Sequence, residues 1–300
     1  MLDERKEYRL GMICGVGAMS MWGVLPLYWR ALIPISSYVL ILYRILLVGV
    51  TCFVAATKVY GFSEIKATFS NRKIVLKLFV TGLVITSNWS IYIYAINSGQ
   101  AIEASIGYYI EPLVVSLFGI IIFKERPNKY KLTSLLFACA GVSVVLIHFL
   151  RLPFIALSLA ISFATYTALK KYLKMRALIS LFFETVFIAP IALSLIIYME
   201  TTGAGAVAAG QPYQLFMLSL IGIVTATPLA MFGVAANRVS MISLGIVEYI
   251  TPSLTLIIGI FVFKEAFDSV QFIAFALIWV GLVFFTYGEV REVVGDGKAV

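Results

Sequence analysis

Charge is scarce in this sequence. Only 13% of its 300 residues are Asp, Glu, Lys or Arg, about half the supply that a soluble domain spreads over its water-facing surface. That shortage excludes a soluble globule of this size. Histidine occurs once, as His148, and cysteine three times, as Cys14, Cys52 and Cys139. Each cysteine sits inside an apolar run without a CxxC or a His pairing, which argues against a disulfide framework and a metal site. No GxxxxGK[ST] phosphate cradle is present either. We therefore expect no metal and no cofactor.

What is there instead is apolar length. Hydrophobic residues make up 61% of the chain and the mean hydropathy is +1.00. A span needs roughly 20 apolar residues to cross ~30 Å of hydrocarbon, and the runs are continuous rather than alternating, which predicts helices and not a barrel. Ten spans follow: 10–32, 38–58, 74–97, 101–123, 131–150, 153–173, 178–199, 214–236, 241–263 and 270–287. The first is too long for the apolar core of a signal peptide. The net charge of +8 forms short clusters between apolar runs and lacks a polar recognition surface, so nucleic acid is not an expected partner. With the N-terminus inside, nineteen Lys and Arg fall on the inner side and three (Arg30, Arg151, Lys264) on the outer. That bias predicts both termini in the cytoplasm.

The second half of the chain echoes the first at an offset of 140. Pro112 and Pro252, Gly119 and Gly259, Lys124 and Lys264, Glu125 and Glu265, Asn97 and Asn237, Gly82 and Gly222, and Gly141 and Gly281 are related in this way. Between 109 and 125, eight of seventeen positions are identical to those 140 further on. Five spans per half is an odd number, so the second half enters from the opposite side. The expected fold is an all-α membrane protein of ten transmembrane helices in two inverted five-helix repeats, 1–150 and 151–300, forming one integrated unit. Inverted repeats are the physical basis of alternating access around a midplane site.

Specific motifs carry a resemblance. Trp22-Gly23-x-x-Pro26, Asn88-Trp89 with Ala95-x-Asn97, Glu103-Ala104-Ser105-x-Gly107-Tyr108 with Pro112, Phe123-x-Glu125-Arg126, Glu184-Thr185, Pro228 and Tyr249-Ile250-x-Pro252 resemble the RarD-type members of the EamA group, in the drug/metabolite transporter superfamily. The resemblance covers essentially the whole chain. It implies a multi-pass protein of the bacterial inner membrane that exports a small metabolite. It also implies a central cavity lined by spans one to four and six to nine.

Four ionisable residues lie inside the spans: Arg44, Glu111, Glu184 and Glu248. Each costs roughly 2.5–3.5 kcal/mol in hydrocarbon and so belongs against a cavity or a partner. At ~1.5 Å per residue, Glu111 and Glu248 come near the midplane. Arg44 and Glu184 are repeat mates at mirrored depths and are not expected to pair. Arg44 is expected to reach Glu111 or Glu103, or to anchor a substrate carboxylate. Glu111 and Glu248 either bind a cationic group, carry a coupling proton, or stay neutral and hydrogen-bonded. On span nine, Gly245, Glu248, Pro252, Thr255 and Gly259 share one face, matched on span four by Ser105, Tyr108, Pro112, Val115 and Gly119. Mid-span proline frees a carbonyl, which makes Pro26, Pro112, Pro228 and Pro252 candidate helix breaks. Trp22, Trp89, Tyr92, Tyr108, Tyr166 and Tyr249 can stack on a substrate or simply pack. Asn88 needs a hydrogen-bond partner in mid-span. The candidate partners are thus the lipid bilayer, a small-molecule substrate and protons as coupling ion. An intramembrane enzyme or a receptor is the competing reading. The single histidine at a membrane edge argues against the first, and the duplication against the second.

Overall fold

A computed structural model describes residues 2–149, 154–264 and 268–295. Arg151, Pro153, Glu265 and Lys298, used above for topology, span limits and repeat, lie outside the described residues. The described chain is helical from end to end. Helix α1 covers Leu2–Ala31, α2 Ser37–Tyr60, α3 Phe62–Ser70, α4 Arg72–Asn97, α5 Ala101–Ile121 and α6 Lys129–Phe149. Helix α7 covers Phe154–Leu173, α8 Ala177–Val186, α9 Ala189–Thr201, α10 Ala206–Ala209 and α11 Pro212–Arg238. Helix α12 runs over Met241–Glu248 and α13 over Ile250–Ile258, ending in a π-helical turn, Gly259–Phe263, before α14 at Ser269–Gly295.

Short polar residues start several of these helices by satisfying orphan N–H groups. The Asn71 side chain accepts from Ile74 N at 3.2 Å, and Ser240 Oγ accepts from Ser243 N at 3.1 Å. Eight helical segments among the described residues are long and apolar enough to cross a membrane, and a ninth results if α8 and α9, bent by 55°, form one broken span. Helix α7 has 20 residues but is not one of the eight, since Lys170, Lys171 and its hydroxyl residues lower its hydropathy.

Three features depart from the sequence reading. The segment between the second and third spans, to which the sequence reading assigns no element, holds the short helix α3, which buries Ile65 and Thr68. The expected span 178–199 is bent at Phe187–Ile188, just before Pro190, where a proline cannot supply the N–H that a continuing helix needs. The expected span 241–263 is interrupted at Tyr249.

Packing follows small residues. Helices α6 and α14 pair, α1 lies against α11 and α13, and α7 lies against α4 and α5. Helix α2 packs on α8 and α11, and α5 crosses α12. A Cβ on Gly141 would stand 2.7 Å from the carbonyl oxygen of Ala274, and one on Gly281 would stand 2.9 Å from that of Ser134. Close approach of this kind is what glycine provides between apolar helices. The Asn97 amide at the end of α4 donates to Ser37 Oγ at the start of α2, and the Asn237 amide at the end of α11 donates to Met175 O just before α8. Lys124 and Lys264, each closing a helix, both take the left-handed conformation, with φ of 54° and 58°.

Candidate functional site

The centre of the bundle is the crossing of α5 with α12. The backbones come so close that a Cβ on Gly245 would lie 2.5 Å from the Pro112 carbonyl. Ser116 Oγ donates back to that carbonyl at 2.9 Å, occupying the acceptor in this crowded spot. Glu111 adjoins the crossing on α5, and Glu248 lies one turn beyond Gly245 at the end of α12. Pro252 has no N–H for the Glu248 carbonyl, and the helix breaks at Tyr249. Tyr249, 1% exposed, is held there by donating its hydroxyl to Tyr109 O at 3.1 Å. Both carboxylate oxygens of Glu248 are buried without a hydrogen-bond partner, and no ion pair among the described residues includes Glu111 or Glu248. Glu248 lies within the electrostatic reach of Glu111. A buried carboxylate left unpaired is costly, which makes Glu248 a candidate site residue. Pro26, Pro112 and Pro228 sit inside continuous helices, and of the four candidate prolines Pro252 alone accompanies an interruption, at Tyr249.

Above this crossing, toward the start of α5, stands Arg44. Its guanidinium carbon lies 4.0 Å from the Trp89 ring centroid and 5.7 Å from that of Trp29. The expected pairing with Glu111 or Glu103 does not form. Glu103 instead accepts from Ile155 N at 3.1 Å, capping the start of α7, and Arg44 takes indole faces rather than a carboxylate. Its Nε is enclosed and without a partner. Tyr92 and Tyr108 complete the cage, edge to face at 5.8 Å. Tyr108 keeps 38% of its surface accessible. It lies in the fields of both Arg44 and Glu111.

A second cluster fills the opposite half. Trp22, Phe163, Tyr166 and Phe232 meet with centroid separations of 5.4–6.2 Å. Asn88 finds its partners in Leu159 O at 3.0 Å and Ser162 Oγ at 2.9 Å, which ties α4 to α7. Glu184 accepts from Lys170 Nζ at 2.7 Å, from Ser180 Oγ, and from Tyr166 Oη at 3.1 Å. Its charge is fully answered. Lys170 is the residue that the sequence reading missed: it was counted among the inner loop cations, yet its side chain is 3% exposed. The clue was available, since Lys170 lies three residues inside the expected end of span six.

The two ends of the bundle differ. At the end carrying both described termini, Tyr8 donates to Glu289 at 2.7 Å, Lys131 pairs with Glu289 at 3.1 Å, and Arg238 pairs with Glu7. Glu125, at the end of α5, accepts from Met241 N at 2.9 Å and Ile242 N at 3.0 Å, capping α12. Lys171 adds an ion pair with Glu125 at 3.6 Å and donates to Val239 O. This layer closes α1, α5, α6, α7, α11, α12 and α14 over the central acids. At the other end Ser105 and Tyr108 are exposed on successive turns of α5.

A helical bundle of this form recurs in a solved crystal structure, with a TM-score of 0.73 at 17% identity over 92% of this chain and 97% of that one. The EamA-like transporter family model matches residues 9–147. An uncharacterized transporter, YojE, of Bacillus subtilis (strain 168) is 36% identical over 96% of this chain and 97% of its own. The chain belongs to the EamA family. Among its RarD-type members, Protein RarD of Streptomyces exfoliatus is 34% identical over 97% of this chain and 92% of that protein. As an EamA protein the chain is a multi-pass membrane transporter, and the crossing of α5 with α12, which carries Glu111 and Glu248, joins its two halves. Among the described residues no group of His, Cys, Asp and Glu could hold a metal ion.

Proposed function

We propose that this EamA protein is a secondary transporter with ten spans, which exports a small polar or amphipathic metabolite across the bacterial inner membrane by alternating access. The observation that carries the reading is the asymmetry of the central seam: sealed by ion pairs at one end, accessible at the other, with unpaired charge between. Contacts related by the 140-residue offset support a twofold arrangement of the halves. Gly141 against Ala274 is the image of Gly281 against Ser134, and α1 on α11 and α13 is the image of α7 on α4 and α5. Two packings of like energy, open to opposite sides, follow from such symmetry. The excess of Lys and Arg in alternate connections supports cytoplasmic termini, so the accessible end faces outward. In this arrangement α7 is a span in its own right and α8 with α9 forms another, held in the interior by the Lys170–Glu184 pair. Glu111 and Glu248 carry the coupling proton, which suits buried carboxyls with no fixed cation.

Purified protein in proteoliposomes tests this. An imposed pH gradient drives uptake or release of candidate metabolites in the wild type, and Glu248→Gln abolishes the dependence on the gradient while facilitated exchange persists. Flux unaffected by the gradient removes proton coupling. Absence of flux for every metabolite class tried, in protein that remains folded, removes the transporter mechanism.

A further inference from the structure

Lys170 is buried, Lys171 and Arg44 are half-buried, and the three are treated differently. Lys170 is matched by Glu184 at 2.7 Å and Lys171 by Glu125 at 3.6 Å. Arg44 has no acidic partner and no hydrogen bond among the described residues, only the faces of Trp89 and Trp29. A guanidinium over an indole face is satisfied in charge by the ring but keeps N–H donors that a planar anion can take. Tyr92 and Tyr108 meet edge to face at 5.8 Å at the same end of the bundle, where Tyr108 is exposed. Burying a cation without a counter-charge is costly, and the nearest acids, Glu103 and Glu111, leave it unpaired. Glu103 is spent on capping α7.

We infer that Arg44 is a specificity-determining residue and that the transported molecule carries a carboxylate, which docks on the guanidinium inside the Trp29–Trp89–Tyr92–Tyr108 cage. The inference rests on the transporter reading and narrows its substrate to organic anions. A planar carboxylate matches the guanidinium fork by two parallel hydrogen bonds, and it supplies the one charge that the folded protein withholds from this site. The surrounding rings then cover an apolar body attached to the acid. Neutral molecules of the same shape leave Arg44 unpaired and bind less well.

The experiment compares small carboxylic acids with their primary amides, using benzoate against benzamide and phenylacetate against phenylacetamide at millimolar concentration. The readouts are thermal stabilisation of the detergent-purified protein, and tryptophan emission in wild type and Trp89→Phe. We expect the acids alone to raise the unfolding temperature and to change emission that Trp89→Phe removes. Arg44→Gln weakens apparent acid binding by roughly ten- to a hundredfold, and Arg44→Lys, which keeps the charge without the fork, weakens it less. Equal stabilisation by acids and amides, acid binding unchanged in Arg44→Gln, or no acid stabilising the wild type overturns the inference. Should Arg44→Gln fail to fold, the wild-type comparison of acid with amide decides alone. Gradient-driven flux of neutral compounds without acid binding sinks the carboxylate assignment and leaves the transporter reading standing.

Discussion

The hydroxyl of Tyr249 donates to the backbone carbonyl of Tyr109 at 3.1 Å, and these two tyrosines occupy the same position in the two halves of the chain, 140 residues apart. A residue touching its own repeat mate lies near the axis that relates the halves. In the twofold arrangement proposed above, this contact and the Pro112–Gly245 approach lie near the axis.

The inverted arrangement is open to a direct test. Single cysteines placed at Asn128, after α5, and at Asp268, after α13, in a protein with Cys14, Cys52 and Cys139 replaced by alanine, should react with a membrane-impermeant thiol reagent from opposite sides. The site at 128 should label only in inside-out vesicles. Both sites labelling from one side overturns the inversion, and with it the symmetric route to alternating access.

The α6–α14 pairing should be a matter of stability more than of transport. A side chain on Gly141 must displace the Ala274 carbonyl, and one on Gly281 the Ser134 carbonyl. Overpacking of this kind costs roughly 1–3 kcal/mol. We expect Gly141→Val and Gly281→Val each to lower the unfolding temperature by several degrees, to similar extents, with substrate affinity unchanged. A loss of affinity in either variant places that helix pair in the substrate path.

Lys170 and Glu184 form a closed account. Removing one partner strands the other at 1–3% exposure, a penalty of roughly 3–5 kcal/mol. Lys170→Met and Glu184→Leu should each destabilise the detergent-purified protein severely. The double variant should recover most of the loss, because two apolar side chains of similar size leave no orphan charge. A double variant as unstable as either single one shows that Ser180 and Tyr166 depend on the carboxylate in their own right.

The contrast between these residues explains what could be read from the chain. The all-helical class and the position of most spans are written in apolar length, which local physics enforces. Glu184 and Arg44 were both visible as charges in hydrocarbon, but their partners were not. Lys170 looked like a loop cation because it stands near a span end, and only the approach of α8 encloses it. Arg44 turned to Trp89, not to an acid, because Glu103 had a helix terminus to cap. The break at Tyr249 was signalled by Pro252, yet Pro26, Pro112 and Pro228 carried the same signal without a break. Neighbouring helices decide whether a freed carbonyl bends the chain, and no single-sequence pattern reports them.

Glu125 holds the closed end by two means, and the consequence can be measured. Its two oxygens cap α12 through Met241 N and Ile242 N, and one of them pairs with Lys171. Glutamine keeps one acceptor oxygen but loses the charge that favours a helix N-terminus and the ion pair. On the proposed alternating access only the conformation closed at this end uses these contacts, so the variant shifts the balance toward the conformation open at the termini end, by a factor set by the differential energy. A loss of roughly 1–2 kcal/mol corresponds to about five- to thirtyfold. We expect Ser243→Cys, beneath this layer, to react faster with a thiol reagent in inside-out vesicles when combined with Glu125→Gln. Reaction at Ser105→Cys, on the opposite end of the seam, should slow in the same background. Acceleration at both positions would indicate general loosening and not a gate. Unchanged rates at both would mean that the helix cap and the ion pair have no part in holding this end shut.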